Sequence, residues 1–245
     1  MTDDRQLHNE HGLSAELLAI LTHDINNLLM VIKGYLDLTL LEKDDLSGAV
    51  KENLMIAARA TENLAHLIMD LTDIGRMEDG RLPLNLEDAD VSELVSGIVE
   101  KIKPLALEAG VDLTMEGASA VIPCNVDKEL ISRALTNLIT NGVKSIPSGG
   151  RVKVSIDPDE NNLKIAVNDT GFWIPPEYRE KIFEKDAQGE IKKANLRRGG
   201  GFSLTFCKMA VQAHGGRIRV ESEGEDKGSV FIFSIPRRRA GKGSI

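Results

Sequence analysis

The chain has 245 residues, 42% of them hydrophobic and 28% charged, values of a globular protein with one or two domains rather than of a disordered one. Its net charge of -8 lies wholly in residues 1–82, which hold 15 acidic and 7 basic side chains, while the remainder balances at 23 of each. That balance disfavours a nucleic-acid binder, and no apolar run approaches the ~20 residues that span a bilayer, so the expectation is a soluble, cytoplasmic chain without nucleic-acid or membrane contact.

None of the 8 prolines precedes Pro83, and only 5 of the 22 glycines fall in the first 80 residues, which is the texture of long helices. Leu17, Leu21, Ile25, Leu28, Ile32, Tyr35 and Thr39 recur every three or four residues as one helical stripe. Leu54, Ala57, Thr61, Leu64, Ile68 and Leu71 form a second, and residues 42–48 read as the turn between them. A lone hairpin cannot bury two such stripes, whereas two hairpins paired as a four-helix bundle can, so a homodimer is expected.

A boundary near residues 78–83 separates this helical unit, residues 1–80, from a mixed α/β unit, residues 81–245. Residues 82–86 alternate like a strand. Asp90 followed by Glu93 resembles a capping box for a helix running to about Ala109. Strand candidates at 111–115 and 120–124, a helix over 127–146, a hairpin of 151–156 with 163–168, a helix over 202–213 and strands at 217–222 and 229–235 complete an α/β sandwich. Cys124 and Cys207, set among apolar neighbours, read as buried thiols of a reducing compartment, and Arg237, Arg238 and Arg239 as a solvated tail.

Three features of this layout carry chemistry. His23 points about 180° away from the core positions Leu21 and Ile25, so it faces water. Asp24 lies beside it and Asn27 one turn on. A part-neutral imidazole there can act as a nucleophile, a neighbouring carboxylate can hold its tautomer or take a proton, and a surface histidine without chemistry is the plain alternative. On the helix over 127–146, Asn137, Asn141 and Lys144 share a face, with Arg133 one turn earlier. Carboxamides and a cation in line suit phosphate and a hard metal ion, or simply a solvated face. Finally, Asp169-Thr-Gly171 ends a strand with a carboxylate able to accept from an exocyclic amine, and Gly199-Gly-Gly201 opens a helix as an anion-binding N-terminus would. Lys185 to Arg198, polar and charged, suits a lid.

In this order the elements resemble the core of a two-component histidine kinase over residues 13–236. His23-Asp-Ile-Asn-Asn27 looks like its H box and Asn137-Leu-Ile-Thr-Asn141-Gly-Val-Lys144 its N box. Asp169-Thr-Gly-Phe-Trp-Ile-Pro-Pro-Glu177 resembles the G1 box, Ile182-Phe-Glu184 the F box and Gly199-Gly-Gly-Phe-Ser-Leu-Thr-Phe-Cys-Lys208 the G2 box. The resemblance implies a dimeric four-helix bundle of hairpins followed by an α/β sandwich of the histidine kinase, gyrase and Hsp90 ATPase type. It implies His23 as phosphoacceptor, Asp24 as its general base and Asn27 as the residue orienting water. Asn141 would ligate Mg²⁺, Asn137 and Lys144 lie near the phosphates of ATP, Asp169 reads the adenine amine, and Gly171, Gly199 and Gly201 line the nucleotide. The implied partners are a second copy and the receiver domain of a response regulator, whose aspartate takes the phosphoryl group. Five positions depart from the family pattern: Trp173 and Ser203 replace glycines, Gly142 an alanine, and Lys185-Asp186 the F-box Pro-Phe. An indole at 173 could fill the pocket, stack on adenine or point outward. The alternative function is therefore a histidine phosphotransferase or pseudokinase with a degenerate ATP site.

Overall fold

The computed structural model describes residues 15–42, 47–80, 82–117, 120–185, 187, 190–191, 202–224 and 227–237; of residues 15–24 and 40–42 it describes the backbone alone. The chain divides into two compact units, residues 1–81 and 82–245.

The first unit is a hairpin of α1 (Ala15–Glu42) and α2 (Gly48–Glu78). Most of the expected turn, residues 43–46, lies outside the described residues. Within one chain the α1 stripe is not the face that meets α2: Ile25, Leu28, Ile32 and Tyr35 remain 38%, 64%, 49% and 70% exposed, while Leu29, one residue off the stripe, is 7% exposed. Lys33 Nζ reaches Glu62 Oε1 at 2.9 Å from one helix to the other. On α2, Thr61 is buried and Leu54, Ala57 and Ile68 half-buried, but Leu64 and Leu71 stay in water. A single hairpin thus leaves most of its apolar surface unburied, as its sequence requires.

The second unit is built on a five-stranded sheet in the order β2–β4–β5–β7–β6, from β2 (Asp112–Glu116), β4 (Arg151–Pro158), β5 (Asn162–Asp169), β6 (Arg217–Glu221) and β7 (Ser229–Pro236). β2 pairs parallel to β4 and every other pair is antiparallel. A separate antiparallel ribbon joins β1 (Glu87–Asp90) to β3 (Pro123–Val126). The helices α3 (Val91–Glu108), α4 (Lys128–Ser145) and α5 (Ser203–Ala213) pack side by side against the sheet. Its inward positions repeat with period two: Val152, Val154 and Ile156 on β4, and Leu163, Ile165 and Val167 on β5, are all buried.

Two details depart from the sequence expectation. Residues 82–86 form no strand, although Leu82, Leu84 and Leu86 are half-buried between exposed neighbours. Pro83 has no N–H to give a ladder, and the Asn85 N–H goes to the Asp127 carboxylate at 2.9 Å; pairing starts at Glu87. The strand placed at 120–124 runs from 123 to 126, because the register opposite Glu87–Asp90 sets it. At the head of α3, the Asp90 carboxylate accepts from the Ser92 N–H (3.0 Å) and the Ile122 N–H (3.0 Å), and these bonds, the latter above all, hold its pKa below the ordinary 3.8.

Both cysteines are free and buried, and burial raises the Cys124 thiol above its ordinary pKa. Among the described residues no helix is long and apolar enough to cross a membrane.

Candidate active site

β5 places a charge where its pattern calls for an apolar side chain. Counting by twos from Leu163 through Ile165 and Val167 brings Asp169 to the core face, where it is 3% exposed. Burial raises its pKa from 3.8 to about 6, against hydrogen bonds from the backbone of Gly171 and Ser229 that favour the ionised form. The Gly171 N–H donates to Asp169 Oδ1 at 2.8 Å. A Cβ on residue 171 would lie 2.8 Å from that oxygen and 3.1 Å from the Ser145 carbonyl, so the close return of chain to carboxylate requires glycine there.

Asp169 lines a cleft with Asn141, Gly142 and Ser145 of α4, Leu204 of α5, and the apolar side chains of Phe172, Ile174, Ile182 and Phe231. The α4 face behind it is as the spacing predicts: Leu130, Ala134, Leu135, Leu138 and Ile139 are buried, Asn137 and Asn141 half-buried, and Lys144 exposed. Gly142 faces β4 and β5, where an added Cβ would come within 3.3 Å of Val152 and 3.5 Å of Asp169. Asn141 Nδ2 donates to Ser203 Oγ on α5 at 3.2 Å. Arg133, expected on the same polar face, lays its guanidinium over the Phe206 ring of α5, 4.3 Å from the centroid.

The loop after Asp169 is fastened to the β6–β7 connection. Ser229 Oγ donates to the Phe172 carbonyl at 2.8 Å. The Ile174 N–H donates to Ser222 Oγ at 3.2 Å, and that hydroxyl donates to the Gly228 carbonyl at 2.6 Å. Arg179 donates from Nε to the Ile174 carbonyl at 3.3 Å and from Nη2 to the Ser222 carbonyl. Gly228 passes so close to the Asp169 carbonyl that a Cβ would sit 1.9 Å from its oxygen, at a φ of +69°. Trp173 is half-buried and does not line the cleft; its neighbour Phe172, 44% exposed, does.

Gly199, Gly201 and most of the expected lid over 185–198 lie outside the described residues. His23 and Asp24 belong to α1, with side chains outside the described set, and Asn27 is exposed one turn on. Among the described residues no three His, Cys, Asp or Glu side chains gather as a metal site.

Residues 126–239 match the family model of histidine kinase-, DNA gyrase B- and HSP90-like ATPases, and residues 13–80 match that of the His Kinase A (phospho-acceptor) domain. Together they span about three quarters of the chain. The chain belongs to the histidine kinases. It is 27% identical over 240 residues to the sensor protein SrrB of Staphylococcus aureus (strain NCTC 8325 / PS 47), covering 95% of this chain and 40% of that protein. Among solved structures, full-length ShkA in complex with AMPPNP aligns with a TM-score of 0.73 at 24% identity, over 93% of this chain and 47% of that one. The histidine kinase ThkA in complex with response regulator protein TrrA aligns at 0.60 and 21%, over 91% of this chain and 61% of that one.

The fold brings Asn141 and Asp169 to one cleft, with the Gly171 N–H bonded to the Asp169 carboxylate. Residues that sequence reasoning passed over are those held by long-range contacts. His214 is buried, accepts the Asp127 N–H on Nε2 at 3.0 Å and contacts the Ala210 carbonyl through Nδ1 at 2.7 Å, so it is neutral and protonated on Nδ1. Asp127 in turn caps α4 through the Leu130 N–H at 3.0 Å. Ser222, Ser229 and Arg179 carry no local signal, since each acts on a segment more than forty residues away or on backbone alone.

Proposed function

We propose that this chain is an ATP-dependent protein histidine kinase that phosphorylates His23 and passes the group to a response-regulator aspartate. The α/β unit, residues 81–245, is the catalytic domain and the hairpin, residues 1–80, the dimerisation and phosphotransfer domain of a cytoplasmic homodimer. The observation that carries the reading is the buried carboxylate of Asp169, paired with Gly171 at the inner end of an apolar cleft whose rim bears the Asn141 carboxamide. A carboxylate kept in the core despite a raised pKa marks a functional site, and here it suits the exocyclic amine of adenine between apolar walls.

The donor set fits Mg²⁺·ATP. With no acidic metal cluster among the described residues, Mg²⁺ would come with the phosphates and take Asn141 as a protein ligand, and bound there it neutralises phosphate charge. Asn137 and Lys144 share the Asn141 face of α4 and would lie along the phosphates, as would Gly199 and Gly201. A ring nitrogen of neutral His23 attacks the γ-phosphorus, the bond to the β–γ bridging oxygen breaks, ADP leaves, and Asp24 accepts the proton from the other ring nitrogen. In a separate phosphatase reaction, in which water takes the phosphoryl group and inorganic phosphate leaves, Asn27 would orient the water.

Incubating the full chain with Mg·ATP should give an acid-labile, base-stable phosphoryl group on His23, absent from His23→Ala. Labelling that persisted in that variant would refute the assignment. A chain that bound no nucleotide yet took phosphate from a phosphorylated receiver domain would be a phosphotransferase.

A further inference from the structure

Ser203 stands where the family pattern has glycine, and the residue is 8% exposed. It is the first residue of α5, and its Oγ accepts the Asn141 Nδ2 proton at 3.2 Å across 62 residues of sequence. A carboxamide offers two different faces to a ligand, an oxygen that can coordinate a cation and an NH₂ that repels one, and an unrestrained amide can turn between them. Asn141 is half-buried at the cleft rim, so both orientations are open to it unless a neighbour chooses. With one Nδ2 proton given to Ser203 Oγ, the amide is held in one orientation, and Oδ1 is its one atom able to ligate a cation.

We propose that Ser203 is a positioning residue: its hydroxyl holds the Asn141 carboxamide with Oδ1 toward bound metal·nucleotide, a function that a glycine at this place could not perform. The inference rests on the reading of Asn141 as a Mg²⁺ ligand. Outer groups that fix the orientation of a ligand are a general means of tuning metal affinity. Ser203 touches neither nucleotide nor metal in this scheme. Its effect is confined to how much Mg²⁺ strengthens nucleotide binding.

The test is calorimetric titration of the full chain with a non-hydrolysable ATP analogue, in EDTA and in Mg²⁺. The quantity read is the ratio of the two affinities. In Ser203→Ala the ratio should fall roughly 3- to 10-fold, the size of one net hydrogen bond, with the affinity in EDTA unchanged. Ser203→Thr, which keeps the hydroxyl, should retain the parent ratio, and Asn141→Ala should lower it at least as far as Ser203→Ala. A merely structural serine would lower both affinities together, and that result overturns the proposal, as does a parent-like ratio in Ser203→Ala. If Asn141→Ala itself keeps the parent ratio, the metal-ligand reading fails and the inference with it. If Asn141→Ala loses the enhancement while Ser203→Ala keeps it, the inference alone fails.

Discussion

Replacing Asp169 by asparagine removes the ionisation of a buried carboxylate while keeping an oxygen to accept the Gly171 N–H. In the folded chain this carboxyl titrates at about 6 against 3.8 for an ordinary aspartate. The folded state thus binds the proton more tightly than the unfolded state. Stability is lost as pH rises from about 4 to about 6, and the loss is complete above the folded value. At 1.36 kcal/mol per unit, the deficit at pH 7.5 is about 3 kcal/mol; it is about 1.6 kcal/mol at pH 5 and close to zero at pH 3. Asp169→Asn should therefore be more stable than the parent by a margin that grows over that range. Denaturant unfolding followed by tryptophan fluorescence measures it, because Trp173 is the chain's one tryptophan and lies in the α/β unit. A difference between the two chains that stayed flat from pH 4 to 7.5 would refute burial as the cause of the shift. The gain in stability should come with a loss of function. If Asp169 accepts the adenine amine as proposed, binding needs the ionised form, about 9% populated at pH 5 and about 91% at pH 7, so ATP affinity of the parent should weaken about 10-fold on acidification, and that of Asp169→Asn should not follow pH.

Gly171→Ala brings a methyl group within 2.8 Å of Asp169 Oδ1 and should weaken ATP binding by about 1–3 kcal/mol, read by the same calorimetry. Gly228→Ala combines a left-handed φ of +69° with a Cβ 1.9 Å from a carbonyl oxygen, and should destabilise the α/β unit by about 2–4 kcal/mol in denaturant unfolding. His214→Phe removes the acceptor of the Asp127 N–H and should reduce stability by about 1–3 kcal/mol in the same assay. Light scattering of the full chain at micromolar concentration should give a dimer mass; a monomer would contradict the expected pairing of hairpins.

What the sequence made legible was periodic or local. The helical repeats of α1 and α2, the apolar face of α4 and the alternation through Asp169 follow from 3.6- and 2-residue periods and survive into the fold. The Asp169–Gly171 bond spans only two residues, yet the sequence showed there no more than a strand ending in a turn with a carboxylate on it. Alternation misled at 82–86, where leucines at every second position meet a protein surface without meeting a partner strand. Which residues of α1 contact α2 was not legible, because periodicity marks an apolar arc and does not say which neighbour each part of it serves. The Asn141–Ser203 and Asp127–His214 bonds join residues 62 and 87 apart, and only the packing of α4 against α5 creates them.

The connection between β6 and β7 is the sort of surface loop in which chains of one fold differ in length. Here both of its ends are tied to the loop behind the cleft: Ser222 and Arg179 hold Ile174, Ser229 holds Phe172, and Gly228 abuts Asp169. Inserting or deleting a residue beside any of these anchors would shift the floor of the cleft without substituting a single residue that lines it. For this segment, length should be as constrained as composition, and a library of loop variants should show its functional cost in nucleotide affinity before it shows in expression.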